Sequence, residues 1–357
     1  MNPFQCKTCV IIGSCIEVIR ARNIQRMILV CDPYFRQNGT AHDLASAVTN
    51  CEIFSDIVPD PSVSLAAKGA ALVQSFKPDT VVALGGGSAM DTAKAMTYFS
   101  GLKPAMIAIP TTSGSGSEVT DFAILTHEGV KHPLVDDALQ PDVAILDEKL
   151  VQSLPPALIA DGGFDLISHS LEALVAKGAT PFTDALAEKA FCTAMRDLSS
   201  SFSGERSVRQ NVHIAATMAG LSFSMAGLGL CHAMSHTLGG AFHIPHGRLN
   251  AILLPSVIEC NAGVCGDKYA QLSRNLGLSS GTEILAIRAL KNAILRLRRN
   301  LRLPNSLSEC GVSPAAVQEQ LPQLVESTLR DPCCFTNPLT PSSDTVRRIL
   351  LEVAARG

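Results

Sequence analysis

Histidine and acidic side chains recur at helical spacing in the second half of the chain. Asp165 and His169 lie four residues apart in GFDLISHSLEALVA, and His232 and His236 repeat that spacing in GLCHAMSHTLGGAFHIPHG. Residues four apart share one face of a helix. His246 stands where a further helix is predicted to begin. One carboxylate and several imidazoles can bind a divalent transition metal, so these residues predict a metal site.

Two nearby residues compete with this set. Asp161 lies four residues before Asp165 and could bind the metal in its place, although a role as a helix cap is favoured. His243 lies three residues before His246 and is favoured as a pocket-rim or surface residue. Four of the nine histidines fall between His232 and His246, in an otherwise apolar stretch. That clustering favours a metal site over coincidence.

A glycine-rich turn in the first half could bind a phosphate. Gly85-Gly86-Gly87-Ser88 follows a buried strand and precedes the helix that carries Asp91 and Lys94. Glycines let the backbone approach a phosphate closely, and a helix N-terminus offers free N–H groups. The turn is not GxGxxG, and a tight structural turn would give the same residues.

A second loop, PTTSGSGSE over residues 110–118, also follows a strand. Its hydroxyl and glycine residues include Thr111, Thr112 and Ser115. In open parallel sheets the ligand crevice lies at the carboxyl ends of the strands. Two such loops favour a ligand site over the alternative of a polar surface loop.

Asp32 ends the predicted strand Met27–Cys31. An acidic residue there can accept hydrogen bonds from a ribose diol and would repel a 2′-phosphate, which favours NAD over NADP. The alternative is a turn begun by Asp32-Pro33.

The elements that position these residues differ between the two halves. Apolar runs separated by turns and helices predict a parallel sheet covered on both faces, with strands Met27–Cys31, Thr80–Leu84, Ala105–Ile109 and Val143–Leu146 and helices Ser64–Phe76 and Ala89–Ser100. After about Pro156 the chain is predicted to be helical, with Thr180-Pro181 opening Phe182–Leu198 and Ser343 or Asp344 capping a last helix that runs through Val353.

The change in pattern near Pro155-Pro156 predicts two domains. Residues 1–155 would form an α/β dinucleotide-binding domain and residues 156–357 an all-α metal-binding domain, with the site in the cleft between them. A length of 357 residues agrees with two cores.

Composition excludes several classes of protein. Hydrophobic residues make up 46% of the chain and charged residues 17%, so the chain can bury a core. A net charge of -3 without basic runs argues against nucleic acid and anionic membrane as partners. The N-terminus does not resemble a secretory signal, and no apolar stretch is expected to reach the ~18 residues of a membrane span, which predicts a cytoplasmic protein.

The 12 cysteines do not suggest a disulfide framework. Cys6 and Cys9 form a CxxC, but no second pair follows at zinc-finger spacing. Reduced thiols are therefore expected, and the adjacent Cys333 and Cys334 have no predicted role.

Taken together, these segments resemble the iron-containing (group III) alcohol dehydrogenases, which have a dehydroquinate-synthase-like fold. The likeness covers nearly the whole chain and rests on ALGGGSAMDTAKAM, IPTTSGSGSEVT, GFDLISHSLEALVA and the stretch from His232 to His246. The resemblance implies NAD(H)-linked interconversion of a small alcohol and its aldehyde with iron(II), or alternatively zinc(II).

The same resemblance implies a role for each matching residue. The metal ligands would be Asp165, His169, His232 and His246. His236 would lie beside the nicotinamide and relay a proton, and Phe223 would line the substrate pocket. The coenzyme contacts would be made at the pyrophosphate by Gly86, Gly87, Ser88 and Asp91, through hydroxyls by Thr111, Thr112 and Ser115, and at the adenosine end by Asp32 and Lys131.

Within the family, ATPFTDALAEKA and TNPLTPSSDTVRRILLE resemble the propanol and ethanol dehydrogenases of bacterial microcompartments. That likeness implies reduction of propionaldehyde or acetaldehyde, recycling of NAD inside a shell, shell-protein partners and a homo-oligomer. No encapsulation helix is recognisable at either end. The departures from the family pattern are Asp60, where many relatives have Asn beside the nicotinamide, and Asp161, Gly240 and His243. A glycerol dehydrogenase or lyase on the same fold, and a non-catalytic scaffold, are the alternatives.

Overall fold

Short apolar runs in the first 154 residues form a parallel sheet. The structure is a computed structural model that describes residues 6–127 and 130–356. Its strands are β1 (Cys9–Ile12), β2 (Arg26–Cys31), β3 (Asn50–Phe54), β4 (Thr80–Gly85), β5 (Ala105–Pro110), β6 (Phe122–His127), β7 (Val130–Val135) and β8 (Val143–Leu146). Six of them form one sheet in the order β1-β8-β5-β4-β2-β3, with every neighbouring pair parallel. The other two, β6 and β7, pair with each other in antiparallel fashion.

Helices cover both faces of this sheet. They are α1 (Cys15–Arg20), α2 (Pro33–Gln37), α3 (Thr40–Ala45), α4 (Val63–Phe76), α5 (Gly87–Ser100) and α6 (Glu148–Val151). Successive side chains of a strand point to opposite faces. Leu29 accordingly lies in one core cluster with Ile19 and Leu44, whereas Ile28 lies in another with Met90. The prediction of a doubly covered parallel sheet is confirmed.

From residue 155 onward the described chain is helical. The helices are α7 (Pro156–Val175), α8 (Pro181–Phe202), α9 (Arg209–Ala226), α10 (Leu230–Phe242), α11 (His246–Asn275), α12 (Glu283–Asn300), α13 (Pro314–Arg330), α14 (Cys333–Thr336) and α15 (Ser343–Ala355). By its contacts the described chain divides into two units, residues 6–154 and 155–356.

Local capping residues explain where several of these helices begin. Thr180 caps α8, and its side chain and that of Thr183 each bond the other's backbone N–H. The cap of α15 is Ser342, whose Oγ accepts the N–H of Thr345 at 3.2 Å. The prediction of Ser343 or Asp344 as this cap was wrong by one or two residues, because several adjacent polar residues could serve.

Four strands went unpredicted. The edge strands β1 and β3 are short and half exposed, so neither is a continuous apolar run. Strands β6 and β7 lie outside the parallel sheet.

Among the residues that the structure describes, one single helix is long and apolar enough to span a membrane. The most apolar 18-residue segment of α11 has a mean hydropathy of 1.3, and 72% of that segment is buried inside the protein. Such burial is what a core helix shows. The expectation that no apolar stretch reaches that length was therefore wrong, because the core helix of a helical unit has the composition of a span.

Candidate functional site

Three helices bring the predicted metal ligands together. Helix α7 carries Asp165 and His169 on one face, α10 carries His232, and α11 begins at His246. The Nε2 atoms of His169, His232 and His246 lie 3.8, 3.8 and 3.5 Å from Oδ1 of Asp165. Asp165, His232 and His246 also offer one ligand atom each within 4.8 Å of one another. Three predicted ligands, all imidazoles, thus face one carboxylate oxygen of the fourth.

Ring packing fixes the imidazoles. The rings of His169 and His232 stack at 4.5 Å between centroids, and His169 also stacks on Phe223 at 4.2 Å. His246 packs between His232 and His236, with both centroid distances at 5.2 Å. Phe223, the expected pocket-lining residue, is 3% exposed, and its ring packs against the imidazole of His169.

The environment of His232 fits a metal ligand. Its Nδ1 lies 2.6 Å from Oε2 of Glu172, which is buried in α7. Its Nε2 is buried and has no hydrogen-bond partner among the described residues, since the 3.8 Å to Asp165 is too long for one. Metal-binding histidines commonly donate their other ring N–H to a carboxylate, as this pair allows. A metal at Nε2 would satisfy the only unpaired polar atom of this ring.

The charged groups here influence one another strongly. Burial acts to raise the pKa of Asp165, but the imidazoles of His169 and His246 outweigh it and hold that pKa well below its usual range. Burial lowers the pKa of His246 well below its ordinary value. For His232, burial lowers the pKa, yet the carboxylates of Asp165 and Glu172 raise it to about 9. An anionic carboxylate beside a neutral imidazole such as that of His246 is the state that a metal needs.

Asp165 is itself held by a buried amide. Asn250 of α11 donates from Nδ2 to Oδ1 of Asp165 at 3.0 Å, and its own Oδ1 accepts from Ser235 at 2.5 Å. Asn250 is fully buried. This chain of hydrogen bonds fixes the carboxylate that all three imidazoles face.

His236 lies at the edge of the cluster. Its ring stacks on that of His246 with an angle of 17° between the planes, and its Nδ1 is 2.9 Å from Oδ2 of Asp331. Side-chain exposure is 30% for His236 and for His246, against 1% for His232. The cluster is therefore closed at His232 and open towards His236.

Asp161 does not cap a helix. It lies inside α7, where its carboxylate pairs with Arg248 of α11 at 3.0 Å. The capping prediction was wrong because α7 begins earlier, at Pro156, and the ion pair gives Asp161 a partner other than a metal. His243 ends α10 with a φ of 55° and is exposed, as predicted.

In the first unit, the two predicted coenzyme loops meet at the carboxyl edge of the sheet. The N–H of Gly86 donates to Oδ2 of Asp32 at 3.2 Å, and the N–H of Thr111 donates to the carbonyl of Gly85 at 3.0 Å. A Cβ on Gly86 would lie 3.3 Å from the side chain of Thr112. Because β2, β4 and β5 are neighbours, the loops that follow them converge.

Gly87 and Ser115 lie where the two loops approach each other closely. A Cβ on Gly87 would lie 3.5 Å from Ser115, so the helix that begins at Gly87 stands against the second loop. Ser88 lies in the first turn of the same helix. These backbone groups at a helix N-terminus could receive a phosphate.

Asp91 is buried and bonded within the protein. Its two oxygens accept from Oγ of Ser117 at 2.7 Å and from the N–H of Ile124 at 3.1 Å. Buried Lys94 donates to the carbonyls of Thr120 and Phe122 at 2.9 and 2.8 Å, and burial lowers its pKa to about 8. These bonds join α5 to Ser117 of the second loop and to the start of β6, so Asp91 holds α5 against that loop whether or not it touches a ligand.

Lys131 forms an ion pair with Asp60 at 2.7 Å. The sequence resemblance assigned Lys131 to the adenosine end of the dinucleotide and Asp60 to the nicotinamide end.

Comparisons with known proteins agree with this geometry. The family model described as iron-containing alcohol dehydrogenase matches residues 11–148, and that of the Fe-containing alcohol dehydrogenase family, C-terminal, matches residues 159–354. The chain belongs to the iron-containing alcohol dehydrogenase family.

Individual relatives are similar over their whole length. The 1-propanol dehydrogenase PduQ of Salmonella typhimurium is 38% identical, with 99% of this chain and 100% of that protein covered. The iron-containing alcohol dehydrogenase of Thermococcus thioreducens superposes with a TM-score of 0.91 at 32% identity, covering 99% of each chain. A sulfoacetaldehyde reductase from Bifidobacterium kashiwanohense, solved with NAD+, gives 0.90 at 26% identity over 100% of both chains. As a member of this iron-containing family, the chain is an NAD-dependent, metal-containing alcohol dehydrogenase.

Sequence reasoning missed the residues that orient the predicted metal ligands and His236 beside them. Glu172, Asn250 and Asp331 each hold a member of the cluster. Glu172 had a signal, since it follows His169 by three residues on the same helix face. Asn250 and Asp331 had none, because their contacts span 85 and 95 residues of chain.

Proposed function

We propose that Asp165, His169, His232 and His246 hold iron(II), with zinc(II) as the alternative. The observation that carries this proposal is the buried, unpartnered Nε2 of His232 beside the oxygen of Asp165 that two further imidazoles face. Imidazole and carboxylate suit both metals, and the family description favours iron. Such a metal would polarise and orient the oxygen of an alcohol or aldehyde.

The proposed reaction is the NADH-linked reduction of a short aldehyde, propionaldehyde or acetaldehyde, to its primary alcohol, and the reverse. Likeness to a 1-propanol dehydrogenase over the full chain supports this substrate class. Phe223 would line the pocket next to His169, on which its ring is stacked. A polyol or other alcohol dehydrogenase on the same fold is the competing assignment.

His236 is the proposed proton relay. The carboxylate of Asp331 accepts from Nδ1 at 2.9 Å, which leaves Nε2 of the ring free to exchange a proton with the substrate oxygen. Its exposure of 30% gives that proton a route to solvent. Asp331 would act as a positioning residue, because it sets the tautomer of the ring.

The coenzyme would lie on the carboxyl edge of the sheet. Gly86, Gly87 and Ser88 at the start of α5 would receive the pyrophosphate, and Asp32 the adenosine ribose. Thr111, Thr112 and Ser115 would add contacts from the facing loop. Asp91 would contribute by holding α5 against that loop. Lys131, which forms an ion pair with Asp60, would contact the adenosine end.

We also propose a cellular setting: NAD recycling in a bacterial microcompartment, by a homo-oligomer that meets shell or cargo proteins. Its support is the likeness to PduQ of Salmonella typhimurium. Outside a shell, the protein would be cytoplasmic.

One anaerobic experiment tests the proposal. The protein is purified without oxygen, its bound iron and zinc are quantified, and NADH oxidation is followed with acetaldehyde and with propionaldehyde, with and without added iron(II). NADH consumption that depends on metal is expected. Turnover of a polyol instead would favour the competing dehydrogenase. A protein with neither metal nor turnover under reducing conditions would contradict the proposal and favour a non-catalytic scaffold.

A further inference from the structure

A second group of metal-ligand side chains lies next to the first. His236, Asp331 and Cys333 each offer one ligand atom, and these atoms all lie within 4.8 Å of one another. None of the three belongs to the ligand set around Asp165. The group draws on α10 for the imidazole and on the segment that opens α14 for the carboxylate and the thiol.

The group is held in place by its own hydrogen bonds. Oδ2 of Asp331 is 2.9 Å from Nδ1 of His236, and Oδ1 of the same carboxylate accepts the backbone N–H of Cys333 at 2.9 Å. All three residues are half-buried, so an ion could reach them from solvent without unfolding. The carboxylate thus already brings the ring and the thiol-bearing residue together.

We propose that His236, Asp331 and Cys333 form a second site, selective for a thiophilic divalent cation such as zinc or cadmium. Thiolate, imidazole and carboxylate together form a ligand set that zinc accepts, usually with water as a fourth ligand. On binding, a bond forms between the cation and Sγ, and the thiol proton of Cys333 leaves to solvent. The thiolate and the carboxylate then balance the two positive charges.

The two groups differ in the metals that they prefer. The cluster around Asp165 offers oxygen and nitrogen only, whereas the second group adds sulfur. Soft thiolate ligands favour zinc and cadmium over the harder iron(II), so the second site would take these cations in preference to iron(II).

Occupation of the second site has a functional consequence. His236 stacks on His246 at 5.2 Å and is the proposed proton relay, so a cation bound to its ring would stop that relay. This consequence rests on the proposed function, whereas cation binding itself does not. A cation in the second site would then inhibit turnover.

The chain offers a matched pair of variants. Cys333→Ser removes the proposed sulfur ligand. Cys334→Ser removes the neighbouring thiol, which is buried and donates from Sγ to the carbonyl of Thr328 at 3.0 Å. Neither residue belongs to the cluster around Asp165, so retention of the resident metal shows that each variant is folded.

The test uses the metal-loaded enzyme and cadmium as the probe. Bound cadmium is counted by equilibrium dialysis, the thiolate-to-cadmium absorption band is recorded in the ultraviolet, and resident iron is measured in the same samples. We expect Cys333→Ser to bind one cadmium ion fewer than the wild type and to lose part of the band, while Cys334→Ser matches the wild type. Equal cadmium uptake by Cys333→Ser and wild type would overturn the proposal. So would release of iron in step with cadmium uptake.

An activity assay separates this inference from the proposed relay. If cadmium binding requires Cys333 but leaves aldehyde reduction unchanged, the second site stands and the relay role of His236 fails. If cadmium inhibits the wild type and Cys333→Ser equally, and the two take up the same amount of cadmium, the second site fails.

Discussion

The carboxylate of Glu172 binds His232 through both its ring and its backbone. Oε2 lies 2.6 Å from Nδ1 of the ring and also accepts the backbone N–H of the same residue at 3.3 Å. The N–H groups of Gly229 and Cys231 donate to the same carboxylate at 3.0 and 2.7 Å. Glu172 therefore satisfies the N-terminus of α10 and turns Nε2 of His232 towards Asp165.

Replacing Glu172 tests how much this orientation matters. Glu172→Gln keeps the size of the side chain but removes its charge and one acceptor oxygen, so the ring of His232 loses its fixed tautomer. We expect metal affinity to fall about 10–100-fold, as for other partners of metal-binding histidines. Competition with a chelator measures the affinity. Glu326→Gln, at an exposed ion pair with Arg330, is the control, and equal affinities for both variants would contradict the role of Glu172.

Replacing His246, a proposed ligand that is only partly buried, separates metal binding from folding. His246→Ala should abolish metal retention and turnover, because one of the imidazoles facing Asp165 is lost. Its side chain is 30% exposed, so truncation leaves little cavity and the fold should persist. Metal content, circular dichroism and NADH binding by fluorescence measure the three effects, and NADH binding should survive. A fully active variant would refute the assignment of His246 as a ligand.

Gly247 determines how closely α11, which begins at His246, can approach α7. A Cβ at Gly247 would overlap the backbone carbonyl oxygen of Asp161, so α11 and α7 could not approach as they do. We expect Gly247→Ala to destabilise the protein by about 1–3 kcal/mol or more and to lower metal content. Thermal unfolding measures the stability.

Gly263, in the same helix, provides the control. A Cβ there meets nothing within 4 Å. Gly263→Ala should therefore leave metal content unchanged and stabilise the protein by roughly 0.5–1 kcal/mol, because alanine has the higher helix propensity. Equal effects of the two substitutions would mean that the contact with Asp161 is unimportant.

Asp32 should set the coenzyme preference. Burial raises the pKa of Asp32, while the N–H of Gly86 opposes that rise. A carboxylate at this edge repels a 2′-phosphate. Asp32→Gly should shift the ratio of kcat/KM for NADPH over NADH upward by about tenfold, or ~1.4 kcal/mol. Asp56→Gly, at an exposed ion pair with Lys68, should leave the ratio unchanged. No shift in Asp32→Gly would place coenzyme selection elsewhere.

The features that sequence predicted best are those set by local chemistry. Buried strands such as Val143–Leu146 have continuous apolar runs, and the helical spacing of Asp165 and His169 places both on one face. Edge strand β1 lacked such a run. The capping prediction for Asp161 failed because α7 begins at Pro156, and its ion-pair partner Arg248, 87 residues away, could not be seen from local spacing. Contacts of that range depend on how helices pack, which spacing along the chain does not encode.

The unequal exposure of the proposed metal ligands has a kinetic consequence. His232 at 1% and His169 at 7% face the interior, whereas His246 at 30% faces outward. If these residues hold the metal as proposed, Asp165, His169 and His232 would keep their places while the side chain of His246 leaves and returns. The rate of metal exchange would then be limited by how often the side chain of His246 moves out of the site. A substitution that loosens the start of α11 would shorten the residence time of the metal, even where the equilibrium affinity hardly changes.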